Sequence, residues 1–410
     1  MIHTLPPGIK ICLVFLGTLF LCSCTPEVKI LDKTATNIQG YNDLYREYCQ
    51  SNTNDNSGNA VMASFMGDHQ KSIQYVSMNH SFDHGLNSQP DNDHLEKLFA
   101  NFEPIDATKV IAEQSEKYHF TLINEAHYSS MNRAFTASLL QPLWDRGYRY
   151  LALEALGYND PNLNDRTYPT YQSGYYIRES TFANLIRKAL EIGYQLIPYE
   201  TRVFDQGDTF RDYQQAKNIA EQTWQKDKVG KVLIHVGYSH LNEEGDDFYK
   251  PMGSQLKTLT EQDILTIDQQ AMLPLISDDK MHSYYQFAVK NFELDKHTVF
   301  VNSGEEFLVD AINRGSVDIQ VYHPKPIFTH KRPTWLITDG RQLIELPVEF
   351  RAYKDMLFQL VPLNEGESAV PSDQFILSEK NYVIAENGFY WAKIVDCEGN
   401  LKVKYEIQVE

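Results

Sequence analysis

From about residue 106 onward the chain alternates short apolar runs with amphipathic stretches of helix length. Residues 107–117 have helical spacing, and the apolar run 120–123 after them reads as a strand. Residues 131–146 carry Ala134, Leu139, Leu140 and Leu143 at helical intervals and are stopped by Gly147. The cycle repeats with strand 150–153, helix 181–192 ahead of Gly193, strand 195–199 and helix 210–225. Strand 231–236, helix 252–259 and strand 264–268 complete it. Short strands alternating with helices of this length predict a parallel sheet with right-handed crossovers. The expected class is therefore α/β, a mainly parallel sheet with flanking helices.

Outside this block the pattern changes. Residues 334–410 contain period-two alternation, as in Lys402-Val403-Lys404-Tyr405-Glu406-Ile407, with Asn387-Gly388 and Glu398-Gly399-Asn400 as hairpin turns. A small C-terminal antiparallel β domain of sandwich type is expected. Upstream, 41–49 and 60–78 look helical on either side of the polar loop 51–59. His69, His80, His84 and His94 lie among Asp and Asn residues at irregular intervals that match no metal-ligand spacing, and they read as part of a solvated linker. Residues 274–332 fit either neighbouring unit. The expected division is a leader at 1–23, a tether at 24–40 and a helical region at 41–105. An α/β domain at 106–333 and a β domain at 334–410 follow.

The leader has its own signature. Lys10 precedes an apolar run, 11–21, that is shorter than the roughly 20 residues a spanning helix needs. It ends in Leu21-Cys22-Ser23-Cys24 and is followed by the polar Thr25-Pro26-Glu27. This resembles a bacterial lipoprotein signal, which implies cleavage before Cys24, lipid on its sulfur and a place in the cell envelope. Membrane contact is then expected through lipid alone. Of five cysteines, Cys49 and Cys397 remain outside the leader and Cys24. They lie so far apart in sequence that they read as unpaired thiols, although an exported chain permits a disulfide. The formal net charge of −18 argues against nucleic acid as the main partner and leaves a small-molecule or peptide substrate.

Candidate chemistry gathers where the strands end. Asn124-Glu125-Ala126-His127 follows one strand, Glu154 another and Glu200 a third, and Gly237-Tyr238-Ser239-His240 follows a fourth. In a parallel sheet these ends share one edge, where ligands of open α/β sheets bind. Convergent Glu and His allow two chemistries. One is a divalent metal on Glu125, His127 and His240 that acidifies its water. The other is a histidine general base whose tautomer is fixed by a carboxylate. His235, inside its apolar strand, reads as a hydrogen-bonded core histidine. Residues 157–180 form a long loop with Tyr158, Tyr168, Tyr171, Tyr175 and Tyr176. It reads as a lid in which Tyr175 and Tyr176 meet the substrate.

The Asn-Glu-Ala-His run at 124–127, Leu151-Ala152-Leu153-Glu154, Arg211-Asp212 on a helix and Gly237-Tyr238-Ser239-His240 occur in this order. Together they resemble the erythromycin esterase/ChaN/TIKI superfamily over about residues 107–270, with Asn124 where that family usually has Gly. The resemblance implies a pocket lined by Glu125, His127, Glu154, Arg211 and His240. It also implies one of several activities, among them ester hydrolysis, metal-dependent peptide hydrolysis and haem binding. The leading expectation is a hydrolase in which Glu125 and Glu154 orient His127 and Arg211 and His240 stabilise charge, with Glu200 on the substrate. A haem or metal-chelate carrier and an inactive scaffold are the alternatives.

Overall fold

The computed structural model describes residues 26–51, 53–78, 90–203, 205–277, 280–338 and 340–410; the leader, with Cys24, lies outside them, as do His80 and His84. The first described elements are β1 (Val28–Ile38), α1 (Asp43–Gln50), α2 (Asn56–Phe65), α3 (His69–Met78) and α4 (Asn92–Phe99). The α/β block then runs β2 (Phe102–Asp106), α5 (Ala107–Ser115), β3 (Phe120–Glu125), α6 (Ser130–Trp144), β4 (Tyr148–Leu153), α7 (Leu163–Arg166), α8 (Ser180–Ile192) and β5 (Gln195–Pro198). It continues with α9 (Asp208–Gln222), β6 (Lys231–Gly237), α10 (Met252–Thr260), β7 (Ile264–Asp268), α11 (Ser283–Asn291), β8 (Thr298–Asn302) and β9 (Ile319–Gln320). The chain ends in β10 (Phe328–Thr329), β11 (Arg332–Pro333), β12 (Gln342–Glu345), β13 (Leu357–Pro362), β14 (Asp373–Ile376), β15 (Tyr382–Ala385), β16 (Gly388–Val395) and β17 (Leu401–Val409).

The central sheet has six parallel strands in the order β5-β4-β6-β3-β7-β9. Its inner strands are buried on both faces, which is why they read as continuous apolar runs. The ambiguous stretch 274–332 thereby divides: β9 joins the parallel sheet, whereas β8 pairs with β2 in a separate antiparallel ladder. Helices on both faces are held by local chemistry. Glu179 caps α8 by accepting from Thr181 N and Phe182 N, and Gly193 ends it at φ +114°.

The β unit is a five-stranded antiparallel sheet, β1-β17-β16-β13-β14, and the segment expected as a tether supplies its edge strand. The ladder β12–β15 packs on it through Ile344 and Val383 against Phe358, Ile394 and Tyr405. Most of β1 faces solvent, so its polar residues look like a linker although their backbone is paired. That pairing brings the chain ends together and overturns the expectation of free thiols: Cys49 and Cys397 form a disulfide. The single helix expected over 60–78 is two, because Gly67 turns the chain at φ +67°. A Cβ there would lie 1.9 Å from the Gln374 carbonyl oxygen. His69 is not part of a solvated linker. It is buried in α3 with Nδ1 3.0 Å from Ser130 Oγ, because α3 packs under Trp335.

Candidate active site

Register builds the site. The β3–β6 pairing sets Glu125 beside Gly237, and the β4–β6 pairing sets Leu153, the residue before Glu154, beside His235. After Gly237 the chain turns sharply. Tyr238 adopts φ +43°, an unusual conformation for a side-chain-bearing residue, and a single helical turn delivers His240 back over the strand ends. Asn124 holds this turn: its Nδ2 donates to the Tyr238 carbonyl (2.9 Å) and to Asp268 Oδ1 (2.8 Å), and its Oδ1 accepts from Gln269 N (2.8 Å). Asn124 therefore sits in regular strand and acts through its side chain.

A cavity of about 290 Å³ opens at this edge, lined by Glu125, His127, Glu154, Tyr176, Glu200, Arg211, His235 and His240 among others. Every residue expected in the pocket is there except Tyr175, which turns away to pack on Phe65. Tyr176 does face the pocket, its ring stacked on His127 at 4.1 Å between centroids, and burial pushes its hydroxyl pKa up to about 12. The rest of the expected lid is fastened elsewhere: Tyr168 and Tyr171 bond Gly366 and Gln359 of the β unit.

Glu125 is the anchor. It is 2% exposed, and its two oxygens accept from Arg133 Nε (2.7 Å) and Nη2 (2.9 Å). Burial alone would raise its pKa, but the Arg133 charge and bonds from Arg133, His127 and His235 hold it well below the carboxylate range. An ionised Glu125 accepts from His127 Nδ1–H at 3.0 Å, which leaves His127 Nε2 as the lone-pair nitrogen. That nitrogen faces Gly237, the strand end that floors the cavity. His235 Nε2 also donates to Glu125 (3.0 Å), so the expected hydrogen-bonded core histidine has a pocket carboxylate as its partner.

A second histidine–carboxylate pair faces the first. His240 Nδ1 lies 3.0 Å from Asp212 Oδ2, which also accepts from Tyr249 OH at 2.7 Å. Burial lowers the His240 pKa, yet the Asp212 hydrogen bond and the Glu154 charge outweigh it and the net shift is upward. Between the two pairs stands Arg211. It bonds both oxygens of Glu200, reaches Glu154 Oε1 at 2.6 Å and has Nη1 3.2 Å from His240 Nε2. Glu154 Oε2 accepts from the Gly237 amide at 2.6 Å. Burial would raise the Glu154 pKa, but His240, Arg211, His127 and that amide together hold it down. Glu154 therefore makes no hydrogen bond to His127, and Glu200, at the cavity lining, is bonded by Arg211 and Gln215.

The donor set does not suit the metal site expected on Glu125, His127 and His240. Two guanidinium nitrogens and two imidazoles already occupy the Glu125 oxygens. Arg211 puts a further positive charge against His240 and Glu154. Among the described residues no group of three or more His, Cys, Asp or Glu is arranged to hold a metal ion. Haem fits no better, because its macrocycle needs broad apolar walls and this cavity is lined mainly by carboxylates, imidazoles and a guanidinium.

Two residues that bond the pocket side chains, Arg133 and Asp212, are not among the expected site residues. Arg133 lies in the first turn of α6, where a cation opposes the helix dipole; that misplacement is the signal of a dedicated carboxylate partner. Asp212 follows Arg211 in the motif, but consecutive helical residues point apart, and Asp212 bonds His240.

No protein-family model matches the chain, and no curated protein matches it. Solved structures do. One described as bacterial protein toxins is 17% identical over 50% of this chain and 45% of its own, with a TM-score of 0.31. The chain thus spans less than half the length of that structure. The type III effector HopBA1 is 10% identical over 55% of this chain and 98% of its own, and the MARTX toxin effector domain RRSP from Vibrio vulnificus CMCP6 is 17% identical over 55% and 50%. Both also have TM-scores of 0.31, a level that establishes neither a shared fold nor a shared activity.

Proposed function

We propose that the chain is a metal-independent hydrolase of ester or amide bonds in small molecules or peptides, esterase-like in the sense of the superfamily its motifs resemble. The observation that carries this reading is the His127–Glu125 pair. An ionised, Arg133-clamped carboxylate fixes one imidazole nitrogen as donor and leaves the other free as a base in the cavity. His127 Nε2 takes a proton from water as the water oxygen attacks the carbonyl carbon. Arg211 and protonated His240 face the oxyanion that forms, and an imidazolium returns a proton to the leaving group. Glu154 keeps the surrounding cationic groups charged.

The envelope setting is part of the same proposal. Lipid on Cys24 anchors the chain, and among the described residues no helix is long and apolar enough to cross a membrane. The test is a panel of ester, lactone and amide substrates given to the chain from Thr25 onward, with and without a chelator. Turnover that resists chelation and falls by about 10²–10⁴ in His127→Ala supports the proposal. Activity indifferent to His127, or dependent on added metal, refutes it.

A further inference from the structure

A second, partly open cavity is lined by residues of the α/β block and of the β unit. It measures about 430 Å³, within the roughly 300–1,000 Å³ of small-molecule pockets, and is walled by α6 and α8 opposite Trp335, Leu336, Pro362 and Tyr390. Arg341 lines it. One nitrogen, Nη2, donates to the carbonyls of Ser372 (2.9 Å) and Ile384 (2.6 Å), and the Arg341 side chain makes no other hydrogen bond among the described residues. Its Nε and Nη1 have no hydrogen-bond partner among the described residues, and Arg341 lines the cavity.

No carboxylate among the described residues comes within ion-pair reach of this guanidinium. Asp373 is already bonded by Arg332 and by Ile384 N–H, and Arg187 on the same wall is engaged by Glu365 at 2.8 and 2.5 Å. Burial lowers the Arg341 pKa in spite of the Asp373 and Glu386 charges. A guanidinium drawn out of water without a counter-ion carries a desolvation cost that a bound oxyanion offsets, and its planar fork matches two oxygens at once. The lining is about half apolar, with Leu185, Trp335, Leu336, Pro362 and Tyr390 beside polar groups that include Lys188 and Asn184. Glu191 and Glu386 at the lining disfavour a multiply charged anion.

We infer that this interdomain cavity binds an organic monocarboxylate with a hydrophobic body, its carboxylate on Arg341 and its body against Trp335, Leu336 and Tyr390. The site is separate from the catalytic pocket, and binding is read directly by calorimetry on the chain from Thr25 onward. The probes are 3-phenylpropionate, the neutral 3-phenylpropanamide and inorganic phosphate. The expected result is one-to-one binding of the carboxylate, at least about tenfold weaker binding of the amide, and no displacement by equimolar phosphate. Arg341→Gln abolishes binding and Arg211→Gln leaves it intact. Should Arg341→Gln fail to fold, Thr338→Trp fills the cavity from an exposed lining position and keeps the Arg341 side chain in the protein. No binding at millimolar probe, equal binding of acid and amide, displacement by phosphate, binding unchanged in Arg341→Gln or Thr338→Trp, or loss in Arg211→Gln overturns the inference.

Discussion

Arg133 grips Glu125 with two N–H donors, at 2.7 and 2.9 Å, and neither side chain has more than 3% of its surface exposed. A third Arg133 nitrogen reaches Glu179, so one guanidinium ties α6 and α8 to the end of β3. Removing one partner of such a pair leaves a buried charge without compensation. Arg133→Met is expected to lower stability by about 3–5 kcal/mol in urea titrations. The double variant Arg133→Met/Glu125→Gln is expected to recover part of that loss, since the charge at 125 is gone while Glu179, the other buried partner of Arg133, keeps its bonds from Thr181 and Phe182. Equal losses in single and double variants would show that packing, not charge, sets the cost.

The same pair shapes the response to acid. Glu125 and Glu154 both have pKa values below their ordinary range in the folded state. A depressed carboxylate contributes stability that is present above its unfolded value, near 4.3, and is lost as pH falls through the folded value. Melting temperature is therefore expected to drop from about pH 5 downward. The drop is shallower in Arg133→Met/Glu125→Gln, which lacks one of the two groups. An identical acid limb in both proteins would contradict this.

His240 has the opposite sign. Its folded pKa is raised, so its contribution to stability is complete below about 6.5 and is lost as pH rises through the folded value. Asp212, fully buried, supplies the hydrogen bond responsible. In a proton NMR titration the His240 ring is expected to titrate above 6.5, and in Asp212→Asn at a lower pH than in the unaltered protein. Hydrolysis in Asp212→Asn would then lose its alkaline limb at the correspondingly lower pH.

The Cys49–Cys397 disulfide joins residues 348 apart in sequence. It also fastens α1 to the loop after β16, where Asn42 N already bonds the Gly399 carbonyl (2.9 Å). Closing so long a loop restricts the unfolded chain strongly, and replacing both cysteines with Ser is expected to cost about 2–5 kcal/mol. Non-reducing peptide mapping should recover the linked pair, and denaturant midpoints with and without reductant should differ. Two free thiols on mapping would sink this prediction.

These partners differ in how much local sequence reveals them. Buried parallel strands write themselves as apolar runs, so Glu125, Glu154, Glu200 and His240 could be assigned to one edge before any coordinates. What local pattern does not carry is the second layer. Arg133 sits on a helix whose apolar spacing says nothing of what its polar positions bond, and only a cation in the first turn hints at a carboxylate partner. β1 looked like a tether because an edge strand with one solvated face has little hydrophobic contrast, and its partner β17 lies at the other end of the chain. The disulfide follows from that pairing and was invisible without it. Pocket membership was legible where strands end and failed for Tyr175, because irregular loops have no period to say which of two adjacent tyrosines turns inward.

Gly237 offers a test that separates geometry from stability. Its backbone is ordinary, at φ −80°, so alanine there meets no conformational penalty. The added Cβ, however, would lie 2.6 Å from His127 Cε1, 3.0 Å from His127 Nε2 and 3.1 Å from Glu154 Oε2. The carboxylate is held by the Gly237 amide itself and by Arg211, whereas the imidazole is partly exposed and bonded on one side only. The ring therefore moves first, breaking its alignment on Glu125 or its stack on Tyr176. Gly237→Ala is expected to keep a melting temperature near that of the unaltered chain while kcat falls by about tenfold to a hundredfold, since a displacement of about 1 Å at a catalytic base costs this much. Full activity in a folded Gly237→Ala chain would mean that His127 does not act from the position its bond to Glu125 defines.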